Sequence, residues 1–131
     1  MIGGINMKSR REQRALIIEM LYQMDLTNEW TTQKSEFDFV NENIVGIQEN
    51  LEKIDALIES HLERWSLKRL SFVDRAILRF AVYELYATET PGEIVINEAL
   101  NLTRTFTDEG DNKAVSFNNS VLDKIKKTLK K

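Results

Sequence analysis

Three arginines near the N-terminus have the type and spacing to hold phosphate. Arg10, Arg11 and Arg14 lie at about 0°, 100° and 40° around a helix, so they share one arc. Cations oppose the dipole at a helix N-terminus, but guanidinium groups beside free backbone N–H groups bind phosphate well. The pattern predicts a polyanion site, and an ordinary solvated basic turn is the alternative. We expect alanine at all three positions to leave thermal stability unchanged or slightly raised, because the dipole then faces no cations.

Aromatic and amide residues elsewhere could recognise an unpaired base. Phe117, Asn118 and Asn119 offer one ring for stacking and two amides for the edge of a base. Phe117 also fits the apolar stripe of a helix, in which case it belongs to the core. Tyr22 lies eleven residues beyond Arg11 on the same side of the first helix. It could stack on a base or contact a partner, and half-buried packing is the alternative.

The acids and the single histidine form no catalytic or metal-binding pattern. Asp74 and Glu84 are ten residues apart, which places them about 80° apart around a helix. His61 has only Glu59 and Glu63 as near neighbours, which is typical of a surface histidine. The absence of cysteine excludes disulfides and thiolate metal sites. We therefore expect no enzyme activity, no metal and no cofactor.

The charge of the chain is strongly segregated along its length. The net charge is −3 over 131 residues, a length typical of one domain, 1–131. Residues 19–63 hold eleven acids against two lysines, whereas residues 124–131 hold five lysines and no acid. Such a distribution fits one polyanion-binding face, and solvated helix faces are the alternative. No apolar run is long enough to span a membrane and no signal peptide is evident, so we expect a cytoplasmic protein without membrane contact.

Apolar residues recur every three or four positions, which predicts an all-α fold. Ser9 and Glu12 have the spacing of a capping box at the start of the first helix. Gly46 could weaken or bend the second helical segment. The predicted helical segments are about 10–26, 36–62, one turn within 65–70, 71–87, a helix after Pro91 and Gly92, and a last helix that starts at Phe117.

Several motifs in order resemble the NusB family of bacterial transcription antitermination factors. From Val73 the chain reads V-D-R-A-I-L-R-F-A-V-Y-E-L, from Ile94 I-V-I-N-E-A-L-N-L, and from Phe117 F-N-N-S-V-L-D-K. The first helix adds the three arginines and the pair Leu21 and Tyr22. The resemblance covers nearly the whole chain except the loop 28–35.

The resemblance implies a compact bundle of about six to seven helices in two sub-bundles. It also implies a non-enzymatic adaptor that binds boxA-like single-stranded RNA together with the ribosomal protein NusE, within an RNA polymerase antitermination complex on ribosomal RNA operons. The implied RNA-binding residues are Arg10, Arg11, Arg14, Lys113, Phe117, Asn118 and Asn119. The implied partner-binding residues are Tyr22, Asp74 and Arg75.

Two departures from the family pattern lie where RNA would bind. The family's closing motif is usually F-V-N-G-V-L-D, but Ser120 stands where the glycine is usual. The loop between Phe106 and Phe117 is also about three residues longer than usual in the family. Two other functions stay open: a stand-alone domain related to the N-terminal domain of RNA cytosine methyltransferases, and a plain protein-interaction module.

Overall fold

A computed structural model describes residues 8–31, 34–64 and 66–131 of the chain. These residues form six α-helices and one 3-10 turn and contain no strand, which confirms the all-α prediction. None of the helices in these ranges is long and apolar enough to cross a membrane. The helices are α1 (Arg10–Thr27), α2 (Asp38–Glu49), α3 (Leu51–Ser60), α4 (Phe72–Ala87), α5 (Gly92–Phe106) and α6 (Lys113–Leu129), and the 3-10 turn is Leu67–Arg69.

The predicted capping box fixes the start of α1. The backbone N–H of Glu12 donates to Ser9 Oγ at 3.1 Å, and the backbone N–H of Ser9 donates to Glu12 Oε1 at 3.0 Å. These two bonds satisfy donors that the first helical turn leaves free. The hydrogen bond from the Ser9 backbone lowers the pKa of the Glu12 carboxyl. The arginines of this turn are therefore carried by a well-defined helix end.

The segment predicted as one long second helix is two helices, and the break lies at Asn50 rather than at Gly46. The Asn50 side chain donates to the carbonyl of Gly46 at 2.8 Å, and the Asn50 backbone N–H donates to the same carbonyl at 3.1 Å. An asparagine side chain that bonds nearby backbone competes with helix continuation. Gly46 itself is helical and buried. Trp65 lies outside the described residues, but Leu67–Arg69 confirms the predicted short turn in this connector.

The last helix begins one turn earlier than expected, at Lys113 rather than at Phe117. Asn112 has a left-handed backbone with φ 60°, and the carboxylate of Asp111 accepts the N–H of Lys113 at 3.1 Å. Val115, in the added turn, is buried. Phe117 is therefore inside α6 and not at its entrance.

Helix α4 is the centre of the molecule and contacts all five other helices. Helices α1, α2 and α3 form one group against it, and α5 and α6 form a second group. Its fully buried side chains belong to one continuous apolar cluster that joins both groups. The two predicted sub-bundles are therefore two groups of helices that share α4. The largest of these α4 side chains are Ile77, Leu78, Phe80 and Leu85.

Candidate nucleic-acid and partner interfaces

Arg10 and Arg11 are exposed in the first turn of α1. The guanidinium of Arg10 stands 3.9 Å from the centroid of the Phe39 ring on α2. A stacked guanidinium of this kind is held in place and still presents its N–H groups to solvent. These two arginines therefore keep the exposed geometry that the sequence predicted for phosphate binding.

Arg14 differs from the predicted exposed arc. Its side chain is only 9% exposed, and its two terminal nitrogens donate to Glu84 Oε1 at 2.6 Å and to Glu84 Oε2 at 3.1 Å. The rings of Phe39 and Phe80 lie 5.5 Å and 5.3 Å from its guanidinium carbon. An arc of three solvated arginines is thus reduced to two, and the RNA-binding role of Arg14 stays a prediction. The basis of the expectation that alanine at all three positions preserves stability does not hold for Arg14, because its loss would leave Glu84 buried without its partner, and we instead expect the triple variant to be less stable.

A groove of about 390 Å³ runs between α1 and α5 beside the exposed arginines. Arg11 and Arg14 line it from α1, while Glu98, Asn101 and Arg104 line it from α5. Arg104 is exposed and donates to Asn101 Oδ1 at 3.3 Å. Sequence reasoning missed Arg104 because a cation in the last turn of a helix is favourable in any protein. Tertiary packing alone brings it beside Arg11, so exposed arginines line the groove from two helices, together with the carboxylates of Glu12 and Glu98.

Phe117 lies in a different place from the arginines. It is half-buried, packs against the core, and lines a groove of about 210 Å³ with His61, Arg64, Ser120 and Lys124. This groove shares no lining residue with the groove between α1 and α5. A stacking role for Phe117 stays a prediction, and it would require RNA to reach this second groove.

The two amides that follow Phe117 have opposite environments. Asn118 is fully buried, and its Nδ2 donates to Thr103 Oγ1 at 3.0 Å and to Asp74 Oδ1 at 3.5 Å. Its side chain therefore connects α6 to α5 and α4 rather than facing solvent, and a contact of Asn118 with the edge of a base stays a prediction. Asn119 and Lys113 are exposed, so both side chains are open to a ligand.

The predicted partner residues lie around the start of α4. Tyr22 is half-buried, and its ring meets the Phe72 ring edge-on at 6.2 Å between centroids. Asp74 is half-buried, and its carboxylate accepts from Ser71 Oγ at 2.9 Å while its backbone N–H donates back to that oxygen at 3.0 Å. We call Tyr22, Phe72 and Asp74 the α4-start face. Phe72 was missed because its apolar type only indicated core.

Arg75 is buried rather than presented to a partner. Its Nε donates to Asp25 Oδ2 at 2.8 Å, and its guanidinium carbon lies 4.2 Å from the centroid of the Phe72 ring. Arg79 donates to the same Asp25 oxygen at 3.0 Å and makes two further bonds to Asp55, at 2.9 Å and 3.0 Å. These four side chains tie α1 and α3 to α4. Arg75 therefore packs against Phe72 of the α4-start face, and a direct contact of Arg75 with a partner stays a prediction.

The single histidine holds two helices together. His61 is half-buried; its Nδ1 lies 2.8 Å from the carbonyl oxygen of Leu57, and its Nε2 lies 2.7 Å from Thr128 Oγ1 on α6. The predicted surface histidine is thus half-buried and links α3 to α6. Within residues 8–31, 34–64 and 66–131, no group of three or more acids, histidines or cysteines could hold a metal ion.

Both the sequence and the fold match known proteins of one family. Residues 11–127 match the model of the NusB family. The chain is 39% identical over 137 residues to the transcription antitermination protein NusB of Clostridium perfringens strain SM101, covering 93% of this chain and 99% of the relative. The fold matches the structure of T. maritima NusB with a TM-score of 0.78 and 34% identity over 92% of each chain. It also matches a chain in the structure of the antitermination factors NusB and NusE in complex with dsRNA, with a TM-score of 0.73 and 28% identity over 91% of this chain and 96% of the other.

Proposed function

The chain belongs to the NusB family, and on that premise we propose that it is a transcription antitermination factor that binds RNA together with NusE. One observation carries the proposal: the fold matches a chain from a solved complex of NusB, NusE and dsRNA. We further propose that the chain acts as a single cytoplasmic domain without catalysis, as an adaptor of the RNA polymerase antitermination complex.

The RNA surface is proposed to be the groove between α1 and α5 and the exposed arginines beside it. Arg11 and Arg104 line this groove and are exposed, and Arg10 is exposed one position before Arg11 in the first turn of α1, in a chain whose net charge is −3. Phosphate groups favour such guanidinium clusters near a helix N-terminus. We propose single-stranded, boxA-like RNA as the ligand, and duplex RNA of the same sequence is the comparison in the binding experiment.

Replacing Arg10 and Arg11 together by alanine should weaken RNA binding and flatten its dependence on salt. Loss of two phosphate contacts should reduce the slope of log affinity against log salt by about 1–2. Fluorescence anisotropy with labelled RNA across low to moderate salt measures this slope. The matched control is alanine at Lys68 and Arg69, two exposed bases that line neither groove. An equal loss of slope in the control would place the RNA elsewhere.

The protein partner is proposed to dock on the α4-start face. Tyr22 and Phe72 supply aromatic surface, and the Asp74 carboxylate supplies one charge at its edge. Aromatic residues with few charges are typical of the centre of a protein interface. NusE is the proposed occupant, by analogy with the complex named above.

Replacing Asp74 by lysine should weaken NusE binding about tenfold or more, because it reverses a charge at the contact. Isothermal titration calorimetry with purified NusE measures the change. Asp74→Asn removes the charge at nearly constant size and should give a smaller loss. Asp38→Lys, at the first turn of α2, is the control and should bind normally. Unchanged affinity for Asp74→Lys would remove this residue from the interface without excluding Tyr22.

If the wild-type chain binds neither boxA-like RNA nor NusE, the proposed function itself is wrong. Reconstitution with NusE, boxA RNA and RNA polymerase tests it directly, with read-through of a terminator as the measured quantity. An adaptor should raise read-through only when the boxA element is present in the transcript. Read-through that is independent of boxA and of NusE would instead favour the plain interaction module.

A further inference from the structure

A third groove, distinct from the proposed RNA and NusE surfaces, lies between α2 and α4. It has a volume of about 390 Å³. Tyr83, its α4 residue, is nine positions beyond Asp74, which puts the two about 180° apart around α4. We call it the Tyr83 groove, and its lining residues are Asn41, Glu42, Val45, Gly46, Glu49 and Tyr83.

The floor of the Tyr83 groove is apolar and closely packed. The Tyr83 ring lies directly on Gly46, and a Cβ at that position would collide with the ring. Glycine is therefore required for this close approach of α4 to α2. Beside it, Val45 is 39% exposed, although most large apolar side chains of α2 are buried. The result is a shallow aromatic and aliphatic surface open to solvent.

The rim of the Tyr83 groove is negative. Glu42 and Glu49 are exposed and seven residues apart on α2, so they stand on the same side of the helix two turns apart. No basic side chain lines the groove. Burial raises the pKa of the Tyr83 hydroxyl, and the charges of Glu49, Glu42 and Glu84 raise it further. The two carboxylates and the absence of a basic side chain in the lining favour a cation over an anion as the occupant.

We propose that the Tyr83 groove docks a basic segment of another protein. A lysine or arginine of that segment lies between Glu42 and Glu49, and a neighbouring apolar side chain covers Val45 and the Tyr83 ring. The aliphatic stem of a lysine or arginine packs on apolar surface while its charge reaches the carboxylates, and an aromatic face attracts a cation. RNA is disfavoured because its phosphates would meet two carboxylates. The small size of the groove fits a short segment and a weak, transient contact.

The chemistry of the occupant can be tested with short labelled peptides. The probe is a fluorescein-labelled peptide with three basic residues around one leucine, and the controls are the same peptide with glutamate for each base and the same peptide with serine for leucine. Fluorescence anisotropy should show binding of the first peptide, weaker binding of the serine peptide and none of the glutamate peptide. Amide shifts in a ¹⁵N spectrum should centre on Val45, Gly46 and Tyr83. Shifts centred elsewhere, or equal binding of the glutamate peptide, would overturn the proposal.

The contribution of the acidic rim can be tested by charge reversal. Glu42→Lys with Glu49→Lys should weaken the basic peptide about tenfold or more, since two attractions become repulsions. Glu52→Lys, at an exposed site on α3 outside the groove, should change it little. Glu42→Gln with Glu49→Gln is a milder variant that should give an intermediate loss. Unchanged affinity in both double variants would overturn the proposal.

The peptide-binding proposal can fail without affecting the proposed function in transcription antitermination. Binding of RNA and of NusE should be unaltered in the double variants, because neither proposed surface includes Glu42 or Glu49. If the protein alone forms dimers in sedimentation, and charge reversal abolishes them while no peptide binds, then a second copy covers the groove. That result would replace the proposed basic partner.

Discussion

Replacing Glu84 by glutamine should lower the free energy of unfolding by about 3–5 kcal/mol, the cost of leaving one partner of a buried ion pair without its counter-charge. The two side chains are 9% and 4% exposed, and the guanidinium of Arg14 is bonded to both carboxylate oxygens. Glutamine keeps the size but offers only one acceptor and no charge. Urea unfolding measures the loss.

The control for Glu84 is the exposed ion pair between Lys127 and Asp123, whose side chains are 75% and 46% exposed. Asp123→Asn should change stability by less than about 0.5 kcal/mol, as is usual for surface pairs. A double-mutant cycle that combines Arg14→Met with Glu84→Gln should show strong coupling, so the double variant loses much less than the sum of the single losses. Additive losses would contradict a direct pair.

Replacing Arg79 by methionine should cost about 2–4 kcal/mol of stability. Arg79 makes three hydrogen bonds to two carboxylates, and its own side chain is 8% exposed. In this variant Asp25 keeps its hydrogen bond from Arg75, but Asp55 loses both hydrogen bonds that Arg79 donates to it. Asp55 is 27% exposed, so water recovers part of the loss and the expected cost lies below that of a fully buried pair.

Two further variants locate the cause of that cost. Arg79→Lys keeps the charge but cannot bridge Asp25 and Asp55 with a planar fork, so it should retain only part of the stability. Arg104→Met makes the same substitution at an exposed arginine. It should leave the free energy of unfolding nearly unchanged and weaken RNA binding. Thermal and urea unfolding of all three variants give the comparison. A full rescue by lysine would show that charge alone, and not the bridging geometry, matters at this position.

The helical type of the elements followed from the sequence, because it depends on local spacing, although the segment predicted as one second helix is two helices. Apolar residues three and four positions apart bury one face of each helix. Ser9 and Glu12 are within one turn of each other, so local sequence alone specifies their capping box and the start of α1. The family resemblance also belongs to the sequence, since it consists of motifs in order, and the matched family model spans residues 11–127.

Boundaries were less well determined where polar side chains bond the backbone. Asn50 ends α2 through a bond to Gly46, while Gly46 itself, which the sequence indicated could weaken or bend this segment, is helical and covered by Tyr83. Asn112 and Asp111 start α6 one turn before the first expected residue. Each of these side-chain bonds joins residues only a few positions apart, but helix propensity does not reveal which of the possible bonds forms.

The sequence by itself determined an all-helical member of the NusB family with exposed arginines at the start of α1. Only the tertiary structure decided which polar residues remain available to a ligand. Arg10 and Arg14 are one turn apart, yet Arg14 bonds a carboxylate 70 positions away in the chain, while Arg10 stacks on Phe39 and stays exposed. Asn118 is likewise enclosed by Thr103 and Asp74 from two other helices. Charge and hydrogen-bonding type are properties of a residue, but burial is set by whatever helix packs across from it.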